Sequence, residues 1–299
     1  MKLRRYTKTP LFTPDYEKVR AFLWDSNAQE LRYPGFPWGR WEWMTTHSML
    51  DRDALGQIGL WEEGDRIVGL ATYESVLGDG YLFYRKGWER LYPEMLRYAK
   101  EYLQGKDGIR VLIDNNHREE QRIAAAMGMM ATVEREETAA LEITADLSYK
   151  LPEGYRIISM ADGWDYGKYN EVMWRGFHHE GPAPAAAEDI RVRKEMLSSP
   201  MIKPEIVLCV VAPDGTYASH CGMWYKEGDA YALVEPVATH PDYRRMGLGR
   251  AAVLEAAKRC GQMGAQRALV GSGQQFYYSI GFAPIHTGTW WVEKEGTSP

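Results

Sequence analysis

The chain has 299 residues, of which 45% are hydrophobic and 26% charged, and its net charge is −5. That describes a folded globular protein of about two domains and excludes a disordered chain. The acidic balance, with a pI near 5.9, counts against nucleic acid as the main partner, because phosphate binding needs a concentrated basic surface. No run of eighteen apolar residues is present, so no membrane span is expected. The first residues, "MKLRRYTKTPLFTPDYE", lack the apolar centre of a secretory signal. Cys209, Cys221 and Cys260 are too scattered for a disulfide framework and show no zinc-ligand spacing. These features lead us to expect reduced thiols in a cytoplasmic protein.

In chain order, "TPDYEKVRAFLWDSNAQE" predicts a helix with Thr13 as N-cap and Pro14 in the first turn. The aromatic stretch "FPWGRWEWM" (36–44) is expected either to lock an irregular loop or to face a substrate. "QIGLWEEGDRIVGLATYES" reads as two strands turning at Gly64–Asp65. A helix ending at Gly105, a strand over "GIRVLIDNN", a helix closed near Gly128 and a strand over "REETAALEI" follow. The polar segment 146–154, with Pro152 and Gly154, is expected to link two domains, 1–145 and 155–299.

The second half repeats this order. Helices are expected over "DGWDYGKYNEVMWRGFHHEG" and "AAAEDIRVRKEMLSS". A hairpin turning at Asp214–Gly215 and a strand over "DAYALVEPVATHP" come next. The helix "GRAAVLEAAKRCGQMG" sets Leu248, Ala252, Ala256 and Cys260 on one face. The strand "QRALVGS", the short helix "QQFYYSIGF" and the strand "TGTWWVEKE" complete it. "YRKGWERL" (84–91) aligns with "YRRMGLGR" (243–250), and "AAAMGM" (124–129) with "YYSIGF" (277–282). The chain therefore reads as a duplicated α/β domain.

"HPDYRRMGLGRAA" (240–252) places two arginines and two glycines between a strand and a helix. The first N–H groups of a helix point outward and carry partial positive charge. Gly247 and Gly249 let a ligand oxygen approach the backbone, and Arg244 and Arg245 add charge. Alone, this turn specifies an anion near a helix start. It is neither a Walker A loop nor a dinucleotide fingerprint.

"VATHPDYRRMGLGRAAVLEAA" resembles the acetyl-CoA-binding motif of the Gcn5-related N-acetyltransferases, with Arg244, Gly247 and Gly249 at the motif positions. "FYYSIGF" resembles the downstream signature of that family through Tyr277, Gly281 and Phe282. The resemblance covers residues 155 to 299; the first half resembles only the fold pattern, keeping Gly87, lacking a second glycine and placing Ala124 at the tyrosine position. It implies two tandem α/β domains, each a mixed, mostly antiparallel sheet flanked by helices, with strands four and five splayed. The first copy is then degenerate and without cofactor.

The resemblance further implies direct acetyl transfer from acetyl-CoA, a co-substrate, to a primary amine of a small molecule or peptide, without a metal. It assigns the pantetheine arm to the backbone of Val237, Ala238 and Thr239. It assigns the pyrophosphate to Arg244, Arg245, Met246, Gly247, Leu248, Gly249 and Arg250. Pro236 is expected at a bulge in the strand, the alternative being a strand that starts after it. Glu235 is the candidate base, directly or through a water, and Tyr277 the candidate acid toward the leaving thiolate, with Tyr278 the alternative by one register. The asparagine usual before that tyrosine is absent, and Ser272 or Gln274 are its candidate substitutes. His178, His179 and Glu180 are either exposed loop residues or substrate contacts, and homo-oligomerisation stays open. Two other readings are a non-catalytic acyl-CoA sensor, which shares the turn, and a tandem transferase using aminoacyl-tRNA, which the acidic charge and the retained pyrophosphate turn both disfavour.

Overall fold

The structure, a computed structural model, describes residues 1–28 and 31–294. The elements are β1 (Lys2–Arg5), α1 (Pro14–Ala28), α2 (Trp38–Thr46), β2 (Gly59–Glu63), β3 (Arg66–Thr72), β4 (Asp79–Tyr84), α3 (Tyr92–Tyr102), β5 (Arg110–Asp114), α4 (Arg118–Ala126) and β6 (Met129–Glu142). They continue with β7 (Arg156–Ser159), α5 (Tyr166–Gly176), α6 (Ala187–Met196), β8 (Val207–Val211), β9 (Tyr217–Trp224), β10 (Tyr231–Thr239), α7 (Leu248–Gln262), β11 (Arg267–Val270), α8 (Gln275–Ser279) and β12 (Ala283–Glu293).

Contacts divide the chain into two compact units. The first holds Met1–Thr138, Gly271–Gly273 and the described residues from Pro284 on; the second holds Ala139–Val270 and Gln274–Ala283. This differs from a division at 146–154. In the first unit, β12 pairs antiparallel with β5, from Gly288↔Asp114 to Val292↔Arg110. In the second, the last residues of β6 pair with β11, from Arg267↔Glu142 to Val270↔Ala139. Each sheet is thus completed by a strand from the other half of the sequence. The segment expected as a linker lies in the second unit, where Tyr149 and Leu151 pack on the core and the Tyr149 hydroxyl donates to Glu255 at 2.8 Å. The reason is physical: an open ladder accepts any strand that satisfies its backbone groups, and strand patterning does not name the partner.

In the first unit the strand order is β1-β2-β3-β4-β5-β12, and in the second β11-β10-β9-β8-β7, with the last residues of β6 beside β11. Within each, one adjacent pair is parallel, β4 with β5 and β10 with β11. Both parallel pairs are short. β4 and β5 pair at Asp79↔Arg110 and Gly80↔Val111 only, and β10 and β11 from Tyr231↔Arg267 to Leu233↔Leu269. Beyond those residues no pairing joins the two strands, as a splay between them requires.

Local signals hold where a side chain meets its own backbone. The Thr13 hydroxyl accepts the Tyr16 N–H at 3.3 Å and caps α1. The aromatic stretch 36–44 forms α2 and is core: Trp38, Trp41 and Glu42 are buried, and the Trp41 indole donates to the Tyr16 carbonyl at 3.2 Å. Strands β1, β4 and β7 escaped the pattern reading. β4 is buried along nearly its whole length, so it shows no alternation of polar and apolar residues. In the second unit Leu248, Ala252, Ala256 and Cys260 all face the core, and the small side chains let α7 lie close on the sheet.

Candidate acyl-transfer site

The site begins with an irregularity in β10. Val234 pairs with Met223 and Val237 with Cys221, so Glu235 and Pro236 are set against Gly222 in a bulge. The strand runs through Pro236 rather than starting after it. Gly222 makes the bulge affordable: a Cβ there would lie 2.7 Å from the Glu235 carbonyl oxygen and 3.1 Å from Pro236 Cδ. The Trp224 indole donates to that same carbonyl at 3.0 Å. Sequence reasoning found the proline and missed the glycine opposite, whose signal is visible only once the two strands are in register.

After the bulge, the His240 N–H donates to the Ala218 carbonyl at 3.0 Å. Hydrogen-bonded and non-bonded pairs alternate along an antiparallel ladder. The backbone groups of Ala238 therefore face β9, and those of Val237 and Thr239 face the splayed side. Of the three residues assigned to a pantetheine arm, two present their backbone to the opening and Ala238 does not. The Ala238 carbonyl also accepts the Ser219 hydroxyl at 3.0 Å.

Two glycines bring neighbouring elements against the end of β10. A Cβ on Gly176, at the end of α5, would stand 2.7 Å from Ala238 Cβ and 3.1 Å from the Thr239 nitrogen. A Cβ on Gly249 would meet the Thr239 hydroxyl oxygen at 3.0 Å and the Phe276 ring at 3.3 Å. Ala238 thus faces α5 and Thr239 faces α7, on opposite sides of the sheet. Gly249 was legible from the motif; Gly176 was not.

The turn 244–247 then leads into α7. Arg245 has φ +66° and Gly247 φ +79°, both left-handed. α7 has no side-chain N-cap and no acidic residue in its first turn, so its first N–H groups keep their anion-attracting character. Arg244 is less mobile than the sequence suggests: its guanidinium donates to the carbonyls of Thr239 at 3.3 Å and Gly176 at 3.0 Å, fastening the turn to β10 and α5. Arg245 and Met246 are exposed, Leu248 is buried, and exposed Arg250 donates to the Ser148 carbonyl at 3.4 Å.

Tyr277 on α8 is 8% exposed and belongs to the core of the second unit, edge-on to Phe276 and Phe282. Burial pushes its hydroxyl pKa far up, and the Cys221 and Glu235 charges add to the shift. The phenol therefore stays protonated at neutral pH, and the Glu235 carboxylate is near enough to be felt by it. Tyr278 is half-buried. Gln274 precedes α8 and its carbonyl accepts the Tyr277 N–H at 3.0 Å, whereas Ser272 falls in the first unit. His178 and His179 are exposed; His179 stacks on Trp174 with centroids 3.9 Å apart. Among the described residues no group of three or more His, Cys, Asp or Glu side chains is arranged to hold a metal.

Residues 171–282 match the model of the Acetyltransferase (GNAT) family. That match lies in the second half of the chain. No curated protein matches the chain in sequence. In structure, it is similar to a GCN5-related N-acetyltransferase from Sphaerobacter thermophilus, at 16% identity and TM-score 0.61 over 98% of this chain and 95% of that one. It is similar to a tandem GNAT protein from the clavulanic acid biosynthesis pathway at 16% identity and TM-score 0.60, over 100% of both chains. Saccharomyces cerevisiae N-myristoyltransferase, solved with bound myristoyl-CoA, matches at 12% identity and TM-score 0.54 over 98% of this chain and 80% of that one. The whole chain has the fold of tandem GNAT proteins.

The first unit builds the equivalent junction and fills it. Gly87 in the turn after β4 also has positive φ, +87°, and its N–H donates to the Glu89 carboxylate at 2.9 Å. Partial desolvation opposes ionisation of Glu89, but the N–H groups of Gly87 and Glu89 and the Arg32 guanidinium hold its pKa below the ordinary value. On β4 itself, the Tyr33 hydroxyl donates to the Tyr84 carbonyl at 2.9 Å and accepts the Tyr84 N–H at 3.0 Å.

Proposed function

We propose that the second unit is an N-acetyltransferase that moves an acetyl group from acetyl-CoA to a primary amine within a ternary complex. The observation that carries this reading is the open edge of β10. Backbone groups of Val237 and Thr239 face a splay that leads to an uncapped helix start. Pantetheine amides suit that edge, and a pyrophosphate suits the N–H groups at 247–250 with Arg245 and Arg250 beside them.

In this reading the amine nitrogen forms a bond to the thioester carbonyl carbon as the carbon–sulfur bond breaks. The proton lost by the amine goes to Glu235, directly or through one water. The Tyr277 hydroxyl gives its proton to the departing thiolate sulfur. The phenol keeps its proton until the thiolate leaves, and the apolar surroundings that raise its pKa also raise the proton affinity of a thiolate leaving beside it. The first unit, its turn satisfied by Glu89 and its strand edge by Tyr33, holds no cofactor and supports the fold.

The test is thiol release from acetyl-CoA over a panel of amino acids, polyamines, aminoglycosides and peptide N-termini. Tyr277→Phe is expected to lower kcat by about 100-fold, with acetyl-CoA affinity retained. Normal turnover in Tyr277→Phe removes the acid role. Acetyl-CoA binding without thiol release on any amine favours a sensor instead.

A further inference from the structure

The first unit also holds an open cavity of about 280 Å³. That volume falls just under the range for drug-sized ligands and suits a molecule of about ten non-hydrogen atoms. Asn115, Arg118 and Gln121 line it from the end of β5 and the start of α4, Arg135 from β6, and Thr289 and Trp291 from β12. Among the described residues no carboxylate lines it.

Both guanidiniums are permanently charged, and among the described residues neither meets a carboxylate. The acids beside them in sequence are engaged elsewhere. Glu119 binds Arg122 at 2.6 Å, Glu120 stands 3.0 Å from His117, Glu136 binds Arg40 at 3.1 Å, and Glu134 pairs with Arg110. Asp114 lies 2.9 Å from His286 Nε2. In a chain of net charge −5, this cavity is left with two uncompensated cations.

The hydrogen bonds around the cavity leave donors over, not acceptors. The Gln121 amide donates to the Asp114 and Asn115 carbonyls at 3.0 and 3.1 Å, and its oxygen accepts from Arg118 at 3.3 Å. Arg118 is thereby tied to the end of β5 with most of its N–H groups unused. The Thr289 hydroxyl donates to Asn115 Oδ1 at 2.6 Å, which leaves the Asn115 N–H pair to a ligand. Guanidinium forks and an amide N–H pair bind oxyanions and repel cations. Half-buried Trp291 adds an apolar, planar surface.

We propose that this cavity binds a small aryl phosphate monoester. The phosphate oxygens take the Arg118 and Arg135 guanidiniums and the Asn115 amide, and the ring lies against Trp291. Two cations favour a doubly charged head over a single carboxylate. The inference stands apart from acyl transfer in the second unit and gives the first unit a ligand of its own.

The experiment titrates the full chain with phenyl phosphate and follows amide and indole N–H signals by NMR. Benzoate, inorganic phosphate, benzyl alcohol and benzylamine are titrated beside it. Saturable shifts are expected at the Trp291 indole and the Asn115 side-chain amide, with a Kd of about 0.1–10 mM for a ligand of about eleven heavy atoms. Benzoate and inorganic phosphate should shift the same signals at least about threefold more weakly. Benzyl alcohol and benzylamine should not shift them. Arg118 and Arg135 are exposed, so Arg118→Gln and Arg135→Gln leave the core untouched. Each should weaken binding about tenfold or more with the thermal midpoint unchanged. The proposal is overturned by an absence of saturable shifts, by shifts confined to the second unit, by equal shifts with benzyl alcohol, or by unchanged affinity in either arginine variant. It is also overturned if benzoate or inorganic phosphate binds as tightly as phenyl phosphate.

Discussion

After β4 the turn at Gly87 donates its N–H to Glu89, two residues on in the same chain. After β10 the equivalent turn at Gly247 leads into a helix with no side-chain cap and no acid in its first turn. The strand edges differ in the same way. Tyr33 takes both backbone groups of Tyr84 in the first unit, while Val237 and Thr239 face the splay in the second. One junction carries its own anion and its own edge partner; in the other the helix start has no internal anion, and the Arg244 guanidinium takes the Thr239 carbonyl. A fold alone therefore does not make a binding site. What decides is whether the polar groups that the fold exposes are already satisfied from within.

The comparison breaks most sharply if the open turn is given an internal anion. Arg250→Glu places a carboxylate in the first turn of α7, as Glu89 stands after Gly87. Acetyl-CoA affinity should fall by about 100-fold, since like charges juxtaposed cost several kcal/mol. Thermal stability should hold or rise slightly, because an acid suits a helix N-terminus. Calorimetric titration beside a melting curve reads both, and an unchanged affinity would move the pyrophosphate elsewhere.

Gly222→Ala tests the bulge that opens the splay. The added methyl meets the Glu235 carbonyl, and we expect a loss of about 2–3 kcal/mol in chemical denaturation. Retained stability with retained turnover would show that the bulge can shift without consequence.

Two imidazoles, buried His220 in the second unit and half-buried His117 in the first, respond to pH in opposite directions. Burial pulls His220 in the second unit down to about 3. Its unfolded form takes up a proton below about 6.5 and its folded form does not, so that unit loses about 2 kcal/mol as pH falls from 7 to 5. In the first unit the hydrogen bond to Glu120 raises the pKa of His117. Its contribution is full below the unfolded value and is lost as pH rises through the raised folded one. Denaturation curves at several pH values should show His220→Leu flattening the acid side and His117→Gln flattening the neutral side. Identical profiles in both variants would remove this contrast.

The smallest effect is expected from Tyr33→Phe, which leaves the Tyr84 backbone groups without their hydroxyl partner. A loss of about 1 kcal/mol is expected, with transfer by the second unit unchanged. A fall in kcat without a fall in stability would tie Tyr33 to catalysis.

By itself, the sequence determined the duplicated element order, the Thr13 cap, the apolar face of α7, the turn at 244–250 and the tyrosine on α8. Each of these is local, written in residues within one or two turns of each other. The tertiary structure decided what depends on residues far apart meeting. It exchanged β12 and the end of β6 between the two sheets, and put Gly222 against Glu235 and Gly176 against Ala238. It turned Ala238 away from the splay and tied down Arg244. It made core of the aromatic stretch at 36–44. Such outcomes rest on register and close approach, and a single strand or helix read alone contains neither its partner nor the distance to it.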